Sequence, residues 1–269
     1  MESIDLTYDD DDFIPATEYC PVSIGVALLG DRWSLLIVRE LIAGSTHFNE
    51  ILWGLPGLSR GLMSSRLRRL ERLGILTKHP ASAGERGGYA LTEAGLELLP
   101  VLESIGLWTL RWQFPPPSED QCDPSLLLWR IAQGVPKSGV VHGRACIEFR
   151  FLDHDPARGW IRLEGGRQSV CFEYPDEEPD VIVTATPKTL TDVWYGHERL
   201  DSATRSGGIQ VQGASELATS FPRWFNLSRF SAANLAMRAD VLAGTSSGSE
   251  LASASVHDNP EEDAPGPAG

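Results

Sequence analysis

Residues 55–74 read LPGLSRGLMSSRLRRLERLG, and this stretch decides the fold of the first part of the chain. The Pro56-Gly57 pair is a turn signal. Ser59 has a hydroxyl that can accept a hydrogen bond from an unpaired backbone N–H at a helix start, and Gly74 stands where a left-handed residue commonly ends a helix. The stretch therefore predicts a turn, and then a helix over residues 59–73.

The predicted helix carries five arginines and one glutamate in a chain of net charge -14. At about 100° per residue, its apolar side chains fall on one side and its small and basic side chains on the other. The apolar set is Leu62, Met63, Leu67, Leu70 and Leu73, and the outer set is Gly61, Ser64, Ser65, Arg68 and Arg72. Arg66 projects near the apolar side, which favours an intramolecular ion pair or an edge contact with phosphate.

Two interpretations of this helix are open from its own residues. Small residues allow a helix to enter the major groove of DNA, and arginines reach phosphates or guanine edges. A solvated amphipathic helix with scattered charge would show the same pattern. The neighbouring segments favour DNA.

The segments before the basic helix predict a helix-turn-helix. Residues 31–41 have helical apolar spacing and end before Gly44, and Thr46 is placed to cap a short helix over residues 47–54. The turn at Pro56-Gly57 then leads into the basic helix. A helix, a tight turn and a second helix in this order form the helix-turn-helix motif.

The segments after the basic helix predict a wing. Residues 75–78 and 89–91 look like two short strands, with a flexible tip at residues 81–88. Arg86 at this tip is suited to a minor groove, whose negative potential attracts arginine. Thr92 then caps a predicted helix over residues 93–111, whose large apolar residues suit either core packing or a dimer interface. They are Leu96, Leu99, Val101, Leu102, Ile105, Leu107, Trp108 and Trp112.

Residues 20–112 resemble the HxlR family of winged-helix transcriptional regulators, which are relatives of the MarR group. The matching segments are CPV at 20–22, GDRWSLLI at 30–37, FNEI at 48–51, LPGLS at 55–59, SSRL at 64–67, LE at 70–71, GI at 74–75, YALT at 89–92 and PVL at 100–102. The resemblance implies homodimers on near-palindromic double-stranded DNA, with the basic helix in the major groove.

The residues that we assign to DNA on this basis are Ser59, Arg60, Gly61, Ser64, Ser65, Arg66, Arg68, Arg72, Lys78 and Arg86. Two positions depart from the family pattern. His47 stands where the family often has arginine, which puts a basic contact there in doubt. Gly61 weakens a helix by about 1 kcal/mol relative to alanine, so it is either a position of close approach or a plain helix defect.

Charge is divided unevenly along the chain. Residues 1–19 carry seven acidic and no basic side chains, and residues 241–269 carry five acidic and no basic ones. Residues 20–112 have a net charge of +2 and residues 113–240 a net charge of -4. Only the winged-helix segment thus suits a polyanion, and the rest of the chain would repel DNA and suppress non-specific binding.

Other sequence signals bound the function. No run approaches the ~18 apolar residues of a membrane helix, and the acidic N-terminus lacks a signal-peptide pattern, so we predict a cytoplasmic protein without a membrane partner. The spacing of Cys20, Cys122, Cys146 and Cys171 fits neither a disulfide framework nor a zinc site. Cys20 precedes a helix, where some family members carry a redox-sensing cysteine, although packing as a small apolar residue is the favoured interpretation.

The second half of the chain predicts a separate domain. Residues 114–121, FPPPSEDQ, form a proline-rich polar break that is typical of a hinge. A helix is expected at 125–132, followed by an antiparallel sheet from the alternating segments 145–152, 160–163, 169–174 and 181–185. Helices at 187–195 and 198–206, a strand at 209–213 and a last helix at 217–225 complete the prediction.

Residues 125–230 are similar to the sterol-carrier-protein-like fold, through DVIVT at 180–184, TL at 189–190, WYG at 194–196 and GGIQVQG at 207–213. The resemblance implies helices on one face of a sheet, an apolar tunnel and a small hydrophobic ligand. The candidate lining residues are Trp194, Leu200, Phe221, Trp224 and Phe225; ordinary core aromatics are the alternative interpretation.

We therefore predict an α+β protein: an acidic disordered tail (1–19), a winged helix-turn-helix domain for DNA binding and dimerisation (20–112), a linker (113–124), a smaller-sheet α/β sterol-carrier-protein-like domain (125–240) and a disordered tail (241–269). The predicted function is a homodimeric regulator, most simply a repressor, that a small hydrophobic ligand controls. An enzyme is disfavoured, because no nucleophile–base or phosphate-binding motif is present, and no cofactor or metal is called for. A hydrophobic-ligand carrier with a vestigial winged helix is the alternative.

Overall fold

Helix caps and proline positions set the elements of the N-terminal unit. The computed structural model describes residues 19–80, 87–135, 144–165, 167–213, 216–225 and 227–242. The N-terminal elements are α1 (Pro21–Leu29), α2 (Ser34–Ile42), α3 (Phe48–Trp53), α4 (Arg60–Arg72), β1 (Leu76–His79), β2 (Gly88–Leu91), α5 (Glu93–Leu96) and α6 (Leu99–Trp112). The antiparallel hairpin β1–β2 directly follows α4, so the winged helix-turn-helix order is confirmed.

A small apolar core holds these elements together. Buried side chains of α2, α3, α4 and β1 form one cluster, which includes Ile37, Ile51, Met63, Leu70 and Leu76. Full burial of an aliphatic side chain contributes about 1.5–3 kcal/mol. Helices α2, α3 and α4 are therefore fixed against one another by their inner faces, which leaves the outer face of α4 to solvent.

Two predicted helices are broken by proline. The helix expected at 93–111 is two helices, α5 and α6, because Pro100 lacks an N–H and fits only the first turn of a new helix. The helix expected at 217–225 is likewise divided by Pro222. It is not the last helix, since a further helix occupies Ser231–Leu242. The single-helix predictions were wrong at both places.

A second unit is built around a mixed sheet. Its elements are a short 3-10 helix at Glu119–Gln121, α7 (Pro124–Gly134), β3 (Arg144–Phe151), β4 (Arg158–Glu164), β5 (Arg167–Cys171), β6 (Val181–Ala185), α8 (Pro187–Tyr195), α9 (Leu200–Arg205), β7 (Gln210–Gln212), α10 (Glu216–Thr219), α11 (Phe221–Trp224) and α12 (Ser231–Leu242). The strand order is β5-β4-β3-β6-β7.

The sheet is not purely antiparallel, which corrects the prediction. Strands β3 and β6 pair in parallel, with Ile147 opposite Val181, whereas the other pairs are antiparallel. The chain after β5 crosses over and returns beside β3 in the same direction. Alternating apolar residues indicate a strand and its buried face, but they do not specify the direction of the neighbouring strand.

The two faces of this sheet differ in character. On β3, Ala145, Ile147, Phe149 and Phe151 enter the core that the helices cover. The alternate residues face the other side, where Arg150 Nε donates to Glu148 Oε1 at 2.9 Å. The helices of this unit therefore pack on the face of the sheet that carries Ile147 and Phe149.

Most of both predicted tails, residues 1–18 and 243–269, lies outside the described residues. The same holds for residues 81–86 of the predicted wing tip. Within the described part of the chain, no single helix is long and apolar enough to cross a membrane. The pair Pro21–Leu29 and Ser34–Ile42 meets those criteria only when the two helices are taken together across an 80° bend.

Candidate nucleic-acid interface

The basic helix α4 begins at the predicted cap. Ser59 has an extended backbone, and its side chain accepts a hydrogen bond from the Leu62 N–H at 3.3 Å. Gly57 in the turn before it and Gly74 after it have φ values of +87° and +68°, which favour glycine. The predicted start and stop of the helix are thus confirmed.

The outer face of α4 presents small and basic side chains to solvent. Gly61, Ser65, Arg68 and Arg72 are exposed, and the half-buried Ser64 donates its hydroxyl to the Arg60 carbonyl at 2.9 Å. The inner face buries Met63, Leu67 and Leu70. Leu62 was assigned to the apolar face, but it is 37% exposed, because it lies at the border between the two faces.

Arg60 is held in place by the helix that precedes the turn. Its Nη1 donates to Asn49 Oδ1 at 3.1 Å, and its guanidinium lies 5.9 Å from the centroid of the Phe48 ring. Such contacts restrict a long side chain to a few conformations before any ligand binds. The sequence did not point to Asn49 and Phe48, since their proximity to Arg60 depends on the angle between α3 and α4.

Arg66 and Arg69 point toward the protein. Arg66 was expected either to form an intramolecular ion pair or to make an edge contact with phosphate, and its Nε lies 3.3 Å from Asp31 Oδ1, in an ion pair. Arg69 Nη2 donates to the Ala27 carbonyl at 3.1 Å and joins α4 to α1. These two arginines therefore orient α4, and Arg60, Arg68 and Arg72 form its exposed basic face.

The start of α3 is capped differently from the prediction. The N-cap is His47 and not Thr46. The carboxylate of Glu50 reaches back and accepts the N–H groups of Thr46 and His47 at 2.9 and 3.0 Å. Burial opposes ionisation of Glu50, but the two N–H donors and His47 outweigh it and keep the pKa of this carboxyl below its usual value. Glu50 thus supplies the cap that Thr46 was expected to provide.

The wing is anchored at its base. The Tyr89 N–H donates to the Thr46 carbonyl at 2.7 Å, which ties β2 to the loop before α3. Lys78, assigned to DNA, is exposed on β1 opposite Tyr89. Arg86, assigned to the minor groove, lies outside the described residues.

Apolar side chains of α6 and α1 are exposed in the same N-terminal unit. Val101, Ile105, Trp108 and Trp112 of α6 are each at least 45% exposed. Their spacing of four, three and four residues places them along one side of the helix, which we call the apolar stripe. On α1, Val22 and Val26 are also exposed. The side chains of the stripe are exposed in the single chain, so simple core packing does not account for them.

Comparison with known proteins agrees with this geometry. A model of the HxlR-like helix-turn-helix family matches residues 28–116. The HTH-type transcriptional regulator YvaP of Bacillus subtilis is 38% identical over 101 residues, which are 37% of this chain and 94% of YvaP. The chain belongs to the HxlR-like helix-turn-helix family.

Two further relatives of this HxlR-like chain cover a similar share of it. The HTH-type transcriptional regulator sll1512 of Synechocystis is 36% identical over 110 residues, which are 40% of this chain and 78% of that protein. The solved structure of the reduced form of the transcriptional regulator YodB from B. subtilis is 29% identical, covers 37% of this chain and 100% of YodB, and gives a TM-score of 0.33. These relatives are named as regulators, and none of them is named as an enzyme.

The four cysteines of this HxlR-like protein are free thiols in different surroundings. The backbone N–H groups of Ser23 and Val22, and then the Ser23 side chain, lower the pKa of the Cys20 thiol. Burial raises the pKa of Cys146 to about 11, and it also raises the pKa values of Cys122 and Cys171. Cys20 is the thiol with the greatest thiolate character.

We expect iodoacetamide to alkylate Cys20 first, because the thiolate is the reactive form. A thiol with a lowered pKa ionises at lower pH, so the rate at Cys20 should rise at a lower pH than the rate at Cys171. Mass spectrometry of timed samples between pH 6 and pH 9 measures both rates, and Cys171 is the internal control. Equal rates at the two cysteines over this range would contradict the assignment of Cys20 as the redox candidate.

The candidate ligand residues lie in or against the core of the second unit. Phe221 and Phe225 stack with ring centroids 4.9 Å apart, and Trp224 donates its Nε1–H to the Leu217 carbonyl at 2.7 Å. Trp194 and Leu200 pack against the same cluster. The HxlR-like family model ends at residue 116, so the sterol-carrier-like prediction for residues 125–230 has no support from these comparisons.

Proposed function

We propose that this transcriptional regulator is a homodimeric repressor that binds a near-palindromic DNA site with α4 in the major groove. The observation that carries the proposal is the exposed outer face of α4, which begins at a capped turn and presents Arg60, Ser65, Arg68 and Arg72. The first turn of a recognition helix contacts base edges, and cations further along contact phosphates.

The residues of the interface divide into two groups. Gly61, Ser64 and Ser65 allow close approach of the helix to the bases, and Arg60 is held by Asn49 in a position to read a guanine edge. Arg68, Arg72 and Lys78 are exposed cations suited to phosphate. Arg86, which lies outside the described residues, keeps the minor-groove role that its place in the sequence predicts. Sequence preference should therefore depend on the start of α4, and general affinity on the other cations.

The apolar stripe supports the dimer. Large exposed apolar residues on one helix face are typical of homodimer interfaces, which are more apolar than ordinary surface and rich in aromatics. Trp108 and Trp112 supply such aromatics. A second copy of the chain, related by a two-fold axis, would cover the stripe and present a second α4 to the next half-site.

The second unit is proposed to sense a small hydrophobic ligand, as its resemblance to the sterol-carrier-protein-like fold implies. Control requires that the ligand bind the DNA-competent and the DNA-incompetent states with different affinity. Thermal-shift measurements with fatty acids, sterols and aromatic metabolites test this. If these compounds change neither the melting temperature nor the DNA affinity, the ligand proposal is contradicted. Because a chromosomal operator lies in the cytoplasm, we place the protein there.

We expect Arg68→Ala to weaken binding to all duplexes about equally and to reduce the slope of log K against log salt by about 1, since one phosphate contact is lost. Arg60→Ala should instead change sequence preference, with a loss of about 1–3 kcal/mol at one base pair. Fluorescence anisotropy with a duplex that the wild type selects from a random library, at several salt concentrations, measures both effects.

Arg205→Ala is the matched control, because Arg205 is an exposed arginine of α9 in the second unit. This variant should bind as the wild type does. If Arg68→Ala and Arg205→Ala had the same salt slope as the wild type, α4 would not be the phosphate-binding element.

A further inference from the structure

A buried carboxylate lies where the second unit meets the helix-turn-helix. Glu40 of α2 is fully buried. Arg130 of α7 lies 2.7 Å from it through Nη1, and Gln133 Nε2 donates to its Oε2 at 3.3 Å. Arg39 pairs with the same carboxylate at 2.7 Å. Since a buried charge is costly unless it is paired, the second unit supplies one of the two cations that offset the charge of Glu40.

The same arginine also holds the end of α3. Arg130 Nη2 donates to the Gly54 carbonyl at 2.8 Å, while Nη1 engages Glu40. Arg39 Nη2 donates to the same carbonyl at the longer distance of 3.3 Å. Gly54 lies directly against this carboxylate, and a Cβ at this position would overlap the Glu40 side chain. The planar guanidinium makes both contacts at once, which the single ammonium of lysine cannot reproduce.

This contact is close to the start of the recognition helix. Gly54 ends α3, and the buried Leu55 and Leu58 follow it and lead to Ser59, the N-cap of α4. Few residues thus separate the carbonyl that Arg130 holds from the first turn of α4. A displacement of Gly54 would move the segment that places Arg60.

Additional contacts fix the second unit against the N-terminal one. Trp129 packs edge-on against Trp53 of α3 with ring centroids 5.9 Å apart, and Gln133 donates to Ser45 Oγ at 3.0 Å. At the other side, Gly106 of α6 lies so close to Phe230 that a Cβ would overlap the ring. The second unit therefore touches the helices on both sides of the DNA-binding motif.

We infer that the second unit completes the DNA-reading surface, with Arg130 as a positioning residue for the turn that leads into α4. The inference rests on the proposed function and adds a specific regulatory contact to it. Any change in the second unit that withdraws Arg130 leaves both Glu40 and the Gly54 carbonyl with Arg39 alone, whose hydrogen bond to that carbonyl is the longer of the two. Gly54 is then held less firmly, and sequence selectivity falls. The DNA-binding unit of this chain thus extends beyond its helix-turn-helix domain to α7.

The test compares Arg130→Lys and Arg130→Met in the full-length protein. Lysine keeps the charge beside Glu40 but not the double contact, so Arg130→Lys should remain folded by circular dichroism. We expect the ratio of affinities for the selected duplex and for a scrambled duplex to fall about tenfold for Arg130→Met and about threefold for Arg130→Lys. Arg205→Met is the control and should keep the wild-type ratio.

The ratio separates positioning from a loss of folded protein, since a smaller folded fraction lowers both affinities equally. If Arg130→Met does not fold, Arg130→Lys decides the question. If every Arg130 variant that folds keeps the wild-type ratio of affinities, this inference is overturned and the proposed function still stands. If the wild type itself selects no sequence, both fail.

Discussion

Replacing Gly54 with alanine is expected to lower the free energy of unfolding by about 3 kcal/mol, because the new methyl group overpacks a buried site and separates a buried ion pair. The Cβ would overlap the carboxylate of Glu40, which is fully buried between Arg39 and Arg130. The carboxylate cannot move away without losing these partners. Urea denaturation followed by circular dichroism measures the change.

Gly61→Ala is the matched control for this prediction. A Cβ at Gly61 meets nothing within 4 Å, and the residue lies in the first turn of α4. Alanine there should raise the free energy of unfolding by about 0.5–1 kcal/mol. If Gly54→Ala unfolds at the same urea concentration as the wild type, Gly54 is not tightly packed against Glu40.

The Gly61 variant also separates the two interpretations of that residue. If Gly61 permits close approach to DNA, Gly61→Ala weakens specific binding even though it stabilises the fold. A helix defect with no role in DNA binding predicts unchanged affinity. Open space around Gly61 shows that no contact within the described part of the chain requires glycine there, so the DNA affinity of Gly61→Ala decides between the two interpretations.

Ile105→Glu is expected to convert the proposed dimer to a monomer and to lower affinity for a duplex with two half-sites by about 100-fold or more, since the linked second half-site contact is lost. Ile105 lies within the apolar stripe and is 48% exposed in the single chain. A carboxylate at the centre of an apolar interface would be buried without a partner. Light scattering after gel filtration gives the mass, and fluorescence anisotropy gives the affinity.

Leu152→Glu is the control for Ile105→Glu. Leu152 is 47% exposed, lies next to β3 in the second unit and is not part of the stripe. This variant should keep both the dimer mass and the DNA affinity. A monomeric wild type, or an Ile105→Glu variant that remains a dimer, would show that the stripe is not the dimer interface.

Local signals explain why much of the N-terminal unit could be predicted from its sequence. Ser59 and Gly74 act within one turn of α4, and the Pro56-Gly57 turn acts on its own neighbours, so their effect does not depend on the rest of the fold. The interior position of Arg66 also followed from helical spacing alone. The exposed face of α4 could be predicted from the same helical spacing.

Long-range contacts were not predictable in this way. The parallel pairing of β3 with β6 depends on the path of the chain after β5. The helix breaks at Pro100 and Pro222 are different, because they are local and follow from the missing N–H of proline. Arg130 lies 90 residues from Glu40 in the chain. Nothing in the residues around either partner indicates the other. The contact between the second unit and the segment before α4 could therefore be recognised only from the structure.

A hydroxyl-radical footprint of the wild-type protein on its selected duplex is the most direct test of DNA reading by a dimer through α4. We expect two protected patches related by a two-fold axis, with centres about 34–36 Å or a multiple of that apart along the duplex. Arg60→Ala should alter the preferred base at symmetric positions within both patches. A single patch, or no sequence-dependent protection at concentrations that coat the DNA, would contradict a dimer that reads two half-sites with α4.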